Sequence, residues 1–281
     1  MTASTRTTAL PAPTGGIRQA ASDGLVVMWR NLKRIPRIPE LAIFAILQSI
    51  MFVLLFSVVF GGAIALPGFP GANAFREYLM PGIFAQTIVF AAATTAVGMA
   101  DDVNKGLLDR FRSLPMARSA VLTGRTLADV LYNGGILVVL MLSGLVVGWT
   151  VRTDILQFLA GVGLLLLFAF AMSWLGVWLG LSVPTVEVAQ QVGFTVLFPI
   201  TFISNVFVAT STLPSWLQPV AEWNPTSTLT ASLRHLWGNP NPVTSTSFPA
   251  QNPILVTLLW VVLFVAVFGT LGVRRYRSMS R

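Results

Sequence analysis

Six long stretches of the 281-residue sequence contain no Asp, Glu, Lys, Arg or His, and any fold of this chain must accommodate them. They run 41–62, 79–100, 130–150, 155–183, 188–210 and 253–273. At 1.5 Å rise per residue, each is long enough as a helix to cross a hydrocarbon core of roughly 30 Å. A closed barrel would instead show alternating strands of about ten residues. The predicted fold class is therefore an all-α integral membrane protein with six transmembrane helices. Composition agrees: 54% of residues are hydrophobic and only 10% charged, too few charges to clothe a soluble domain. The absence of cysteine removes disulfides, thiolate metal sites and a cysteine nucleophile from consideration.

The net charge of +8 would suggest nucleic acid in a soluble protein, but here it reads as topology. The N-terminal segment carries Arg6, Arg18, Arg30, Lys33, Arg34 and Arg37. The loop after the second stretch carries Lys105, Arg110, Arg112, Arg118 and Arg125, and the C-terminus Arg274, Arg275, Arg277 and Arg281. The opposite side holds Arg76, Arg152 and Arg234. Fifteen against three predicts that both termini and the Lys105 loop are cytoplasmic. The first forty residues lack the apolar core of a signal peptide, so the N-terminus is expected to stay in the protein.

Three parts follow along the chain. Residues 1–16, rich in Thr, Ala, Pro and Gly, are expected to be a disordered tail. Residues 17–39 read as an amphipathic interfacial helix: Ile17, Ala21, Leu25, Met28, Leu32 and Ile35 share one stripe, and Arg30, Lys33 and Arg34 face away. Pro36 and Pro39 then break the helix. Residues 40–281 form the six-span domain. Within it, the loop 101–125 is too patterned to be a plain connector. Leu107, Leu108, Phe111 and Leu114 fall within about 120° on a helix, with Lys105, Asp109, Arg112 and Ser113 opposite. Asp101 and Asp102 suit that helix's N-terminus, Asn104 its cap and Pro115 its end. Such a helix rests its apolar face on the membrane domain and turns its charges to the cytoplasm.

The run Lys105-Gly106-Leu107-Leu108-Asp109-Arg110-Phe111-Arg112-Ser113-Leu114-Pro115 resembles the cytoplasmic signature of type-2 ATP-binding-cassette exporter permeases, particularly the daunorubicin/doxorubicin-resistance permease family. Leu197 to Phe202 with Ser204-Asn205, and Leu213 to Leu217 followed by Asn224-Pro225 and Arg234, support the resemblance, which runs from about Met28 to the C-terminus. Many members of that family have Glu immediately before the Gly, where this chain has Asn104-Lys105. The resemblance implies a coupling helix that docks in a cleft of a cytoplasmic ABC ATPase subunit, with Lys105, Gly106, Asp109, Arg110, Arg112 and Pro115 at the contact. It further implies a second permease subunit, identical or homologous, a bacterial cytoplasmic membrane location, and ATP and Mg held by the partner ATPase. No cofactor is expected in this chain, and no nucleic acid partner. The outer segment 211–252, with Leu213, Trp216, Leu217 and Val220 at helical spacing, reads as a re-entrant or surface-lying hairpin anchored by Trp216, Trp223 and Trp237.

No G-x-x-x-x-G-K-[ST] occurs, so no P-loop can hold a nucleotide here. The uncharged cores argue against a proton relay or voltage sensor. An intramembrane enzyme lacks candidates, because the single histidine, His235, sits beside Arg234 with no acid within ten positions. Asp129 lies four residues after Arg125, as an ion pair on a helix requires, and Glu187 follows Pro184 in a short turn. Among the intramembrane amides Gln48, Gln86, Asn133, Gln190, Gln191 and Asn205, the resemblance points to Gln86 and Asn205 as path-facing. Phe84, Phe90, Phe198 and Phe202 would be the apolar walls. The expected function is the permease subunit of an ATP-driven exporter of an amphipathic or lipid-like compound, such as a hydrophobic drug or lipid-linked metabolite. An ion-coupled multidrug or lipid transporter is the alternative, and a membrane enzyme comes third.

Overall fold

The computed structural model describes residues 17–34, 39–56, 72–108, 118–242 and 245–279, and among these all regular structure is helical. In chain order the elements are α1 (Ile17–Arg34), α2 (Pro39–Leu54), α3 (Ala72–Asn104), α4 (Arg118–Val147), α5 (Ile155–Ser182) and α6 (Val186–Phe202). A 3₁₀ turn (Thr210–Thr212) leads to α7 (Gln218–Trp223), α8 (Pro225–Trp237), α9 (Phe248–Gln251) and α10 (Pro253–Ser278). Four described helices, α3, α4, α5 and α10, are long and apolar enough to cross a membrane, and α6 is a shorter apolar helix. The expected tail 1–16 and the end of the first apolar stretch, 57–62, lie outside the described residues.

α3 is the central post, packed by α5, α6 and α8. Its contact with α5 includes two points of close backbone approach. A Cβ on Gly176 would lie 2.4 Å from the carbonyl oxygen of Ala92, and one on Gly180 would lie 2.4 Å from that of Ala96. The spacing Gly176-Val177-Trp178-Leu179-Gly180 places both gaps on one face of α5, against Ala92 and Ala96 one turn apart on α3. Gly193 of α6 meets Ala93 in the same manner. Small residues are what helix pairs in lipid use to approach, since lipid leaves no hydrophobic drive to push them together.

Two apolar clusters grow from this post. One holds Phe84, Trp149 and Trp237 in edge-on contact, with ring centroids 5.1 to 5.9 Å apart. The other, near the opposite end of α3, joins Met99, Leu108, Leu122, Leu181 and Tyr276.

Local chemistry sets the helix ends. Asp154 caps α5 by accepting from the Gln157 N–H at 3.0 Å, and Thr185 caps α6 through Val188. The fifth apolar stretch, expected to be helical to Thr210, stops at Phe202. The Ile203 N–H closes back on the Pro199 carbonyl, and the Asn224 amide donates to the Ile200 and Ile203 carbonyls at 2.7 Å each. Those carbonyls are thus satisfied without a further turn. Asn224 simultaneously caps α8, with Pro225 at its first position.

α8 is buried although its sequence, Thr-Ser-Thr-Leu-Thr-Ala-Ser, looks like that of a surface segment. Three of its hydroxyls donate to their own helix: Thr228 to Pro225, Thr230 to Thr226 and Ser232 to Thr228. The longest helix of the outer segment is therefore part of the core.

α1 forms as expected but presents another face. Gly24 and Val27 are buried against Gly124 of α4, where a Cβ would lie 2.5 Å from the Gly24 carbonyl oxygen, while Leu25, Val26 and Trp29 stay exposed. Closest approach, set by two glycines, decides the contact, and Leu25 of the expected stripe is left facing outward with Met28 and Leu32 half-buried.

Gly180→Ala is expected to cost about 1 to 3 kcal/mol by overpacking. Gly163→Ala, at a position with nothing within 4 Å, is expected to be neutral or slightly stabilising. Thermal melting of the two purified variants in one detergent reads the difference, and equal midpoints would refute the close-packing account.

Candidate functional site

At one end of α3 the chain leaves the helix through Lys105 and Gly106. The Lys105 N–H bonds the Asp101 carbonyl and that of Gly106 the Val103 carbonyl, both at 3.0 Å. Gly106 has φ +64°, a left-handed conformation natural to glycine after a helix end, and a Cβ there would meet nothing within 4 Å. Backbone conformation rather than crowding selects glycine here. Leu108 then buries itself in the second cluster and fixes the outgoing direction. Asp101 and Asp102, expected to precede a separate helix, instead lie in the last turn of α3, which runs on through the expected cap, Asn104. Lys105 Nζ pairs with Asp101 at 2.7 Å. The other expected coupling residues, Asp109, Arg110, Arg112 and Pro115, lie outside the described residues.

Arg125 of α4 ties this end together. Its Nη1 reaches Asp102 at 2.5 Å and its Nε reaches Asp129 at 3.3 Å, with all three side chains largely buried. The expected Arg125–Asp129 pair is present, and Asp102 makes it a bridge between α3 and α4. The guanidinium fits because position 98 is glycine, where a Cβ would overlap Arg125 Nη2. Removing the arginine alone takes the shared cation away from two largely buried carboxylates. Arg125→Ala is thus expected to cost about 3 to 5 kcal/mol, and adding Asp102→Asn and Asp129→Asn to recover much of it. Melting of the single and triple variants tests this, and a triple variant as unstable as the single one would contradict it.

At the far end stands Arg234 of α8, 1% exposed. Its Nε donates to the Tyr78 carbonyl at 2.9 Å, and its Nη2 to the carbonyls of Asn205 at 2.9 Å and Val206 at 3.3 Å. The guanidinium carbon lies 3.5 Å from the centre of the Tyr78 ring, and the Tyr78 hydroxyl donates to the Asn205 carbonyl at 2.8 Å. One arginine thereby clamps α3, α8 and the segment after α6. Burial pulls its pKa below the usual arginine value, with the nearby Tyr78 hydroxyl opposing the shift, and the group remains a cation. Beside it, Glu77 Oε1 accepts from Arg152 Nη2 at 2.8 Å and from the Thr150 hydroxyl at 3.0 Å. Trp149 Nε1 donates to Asn239 Oδ1 at 3.0 Å. His235 is exposed, unlike its neighbour.

The expected path residues separate. Phe84 is fully buried among Trp149 and Trp237 and offers no surface in this chain. Gln86 is buried on α3. Phe202 is 48% exposed and stacks on Phe198 at 4.1 Å, continuing an exposed apolar face of α6 that includes Phe194. Asn205 uses its main chain in the arginine clamp, while its Oδ1 is buried without a partner. Sequence reasoning missed Tyr78, Glu77, Gly98 and the buried role of Arg234. The Gly176/Gly180 spacing was the one signal in plain view.

Among the described residues, no group of three or more His, Asp or Glu side chains could hold a metal ion. The arrangement is that of an all-helical membrane domain with a turned, charge-pinned helix end on one side and a buried hydroxyl-rich helix on the other. The chain belongs to the ABC-2 type transporter family, whose model matches residues 24–236, and is a permease subunit of that family. It is 30% identical, over 93% of its length and 88% of the relative's, to the daunorubicin resistance ABC transporter permease protein DrrB1 of Streptomyces coeruleorubidus. It is 23% identical, over 95% of its length and 94% of the relative's, to the probable doxorubicin resistance ABC transporter permease protein DrrC of Mycobacterium tuberculosis strain H37Rv.

Proposed function

We propose that this permease works as a pair of six-span subunits with cytoplasmic ATPase subunits, exporting an amphipathic or lipid-like compound. The observation that carries the reading is α3, one 33-residue helix running from the Tyr78–Arg234 clamp to the Lys105–Gly106 turn. Packed closely on α5 at Gly176 and Gly180, it transmits displacement along its axis rather than absorbing it. In this reading the Lys105 end is cytoplasmic, in keeping with the distribution of Lys and Arg, and the segment 105–115 receives the ATPase. ATP and Mg stay with that partner. The Arg234 end faces outward, and Leu25, Val26 and Trp29 on α1 settle into the inner leaflet.

The second permease subunit covers the exposed face of α6. Phe198 and Phe202 then wall a central route, Gln86 and Asn205 supply its few polar contacts, and Phe84 supports the route from behind. Homology to permeases named for daunorubicin and doxorubicin resistance favours a hydrophobic drug as cargo over an ion.

Asp109→Ala with Arg112→Ala is expected to abolish co-purification of the ATPase and substrate-stimulated hydrolysis while leaving the permease folded. Parental values for both would refute the docking assignment. Phe202→Ala is expected to change the relative transport of cargoes of different polarity by several-fold at normal expression. A uniform loss together with loss of the subunit pair would make Phe202 a packing residue instead.

A further inference from the structure

Next to the arginine clamp lies a small cavity. It holds about 30 Å³ and is bordered by Asn205, Glu222, Ser227, Ala231, Arg234 and Ser245. A single water needs roughly 10 to 15 Å³ of such space, so the cavity takes about two or three oxygen-sized atoms, as the oxygens of a carboxylate or of one edge of a phosphate would be. It is far below the several hundred Å³ of a pocket for a whole drug.

Hydrogen-bond donors converge on it. The three carbonyl contacts of Arg234 use Nε and Nη2 and leave Nη1 out. Among the described residues no carboxylate forms an ion pair with this buried guanidinium. The Ser227 and Ser245 hydroxyl oxygens accept from the main-chain N–H groups of Asn205 and Ser247, so their own hydrogens remain to be donated. The Asn205 side-chain oxygen is buried without a partner, and because amide oxygen and nitrogen are interchangeable by a flip, its NH₂ can turn to the same space. Glu222 is the one carboxylate on the border. Guanidinium, two hydroxyls and an amide around a space of this size make a binding site for an oxyanion.

We propose that this cavity binds a phosphate or carboxylate group, carried by a lipid headgroup or free in solution, with Arg234 as its cationic floor. Glu222 opposes the anion and tunes its affinity downward.

The full chain, purified in neutral detergent, is melted while its tryptophan fluorescence is followed. One arm titrates inorganic phosphate against chloride at constant ionic strength. The other titrates phosphatidylglycerol into phosphatidylcholine micelles. A saturable rise in melting temperature is expected in at least one arm: phosphate alone sufficing identifies a free anion, and only phosphatidylglycerol acting identifies a headgroup. Glu222→Gln is expected to lower the half-saturating concentration roughly two- to fivefold by removing a like charge. Ala231→Leu, which fills the cavity and leaves the clamp residues in place, is expected to abolish the shift. No saturable rise in either arm, or the same half-saturation in wild type and Glu222→Gln, would overturn the assignment. The Glu222→Gln comparison decides it even if Ala231→Leu does not fold.

Discussion

Everything else in this molecule depends on how closely α3 and α5 approach. Gly176 and Gly180 remove the side chains that would hold two helices apart, and Ala92 and Ala96 offer their carbonyls to the space. In a bilayer, where burying apolar surface against protein or lipid is nearly equivalent, dispersion across such a dry contact is the main adhesive available. The contact also fixes rotation. With α3 turned to offer Ala92 and Ala96 to α5, Ala93 faces Gly193 of α6, and Phe84 is carried into the cluster with Trp149 and Trp237.

The polar groups are arranged around that post by one rule: a charge leaves water only where several partners meet it. At the Lys105 end, one guanidinium is shared by two carboxylates on different helices. At the Arg234 end, one guanidinium is met by three carbonyls and an aromatic face. Neither set sits mid-helix on α3, which stays uncharged from Leu79 to Ala100. The helix is thus greasy along its length and held at its tips.

The sequence showed this unevenly. Long uncharged stretches announced the helices because period and length reinforce one another, and the Arg125–Asp129 pair was visible because its spacing is local. The Asp102 contribution was not, since it depends on a glycine 27 residues earlier than Arg125 permitting the crossing. α8 was misleading for a definite reason. Hydroxyl side chains look hydrophilic when counted, yet on a helix they can spend their hydrogen bonds on their own backbone and enter a core at little cost. Arg234 read as an outer-loop cation because nothing in one dimension reveals three carbonyls arriving from Tyr78, Asn205 and Val206.

The self-satisfied hydroxyls of α8 bear on how such chains drift. Because Thr228 and Thr230 bond within their own helix, exchanging either for alanine removes a donor and its local demand together and leaves the neighbours' polar groups as they were. Related sequences are therefore free to wander at these positions between hydroxylated and aliphatic residues with the fold intact. A lineage that wandered far enough would show an apolar run of about a dozen residues here, and a hydropathy plot would tempt its reader to add a half-span to a chain whose architecture had not changed.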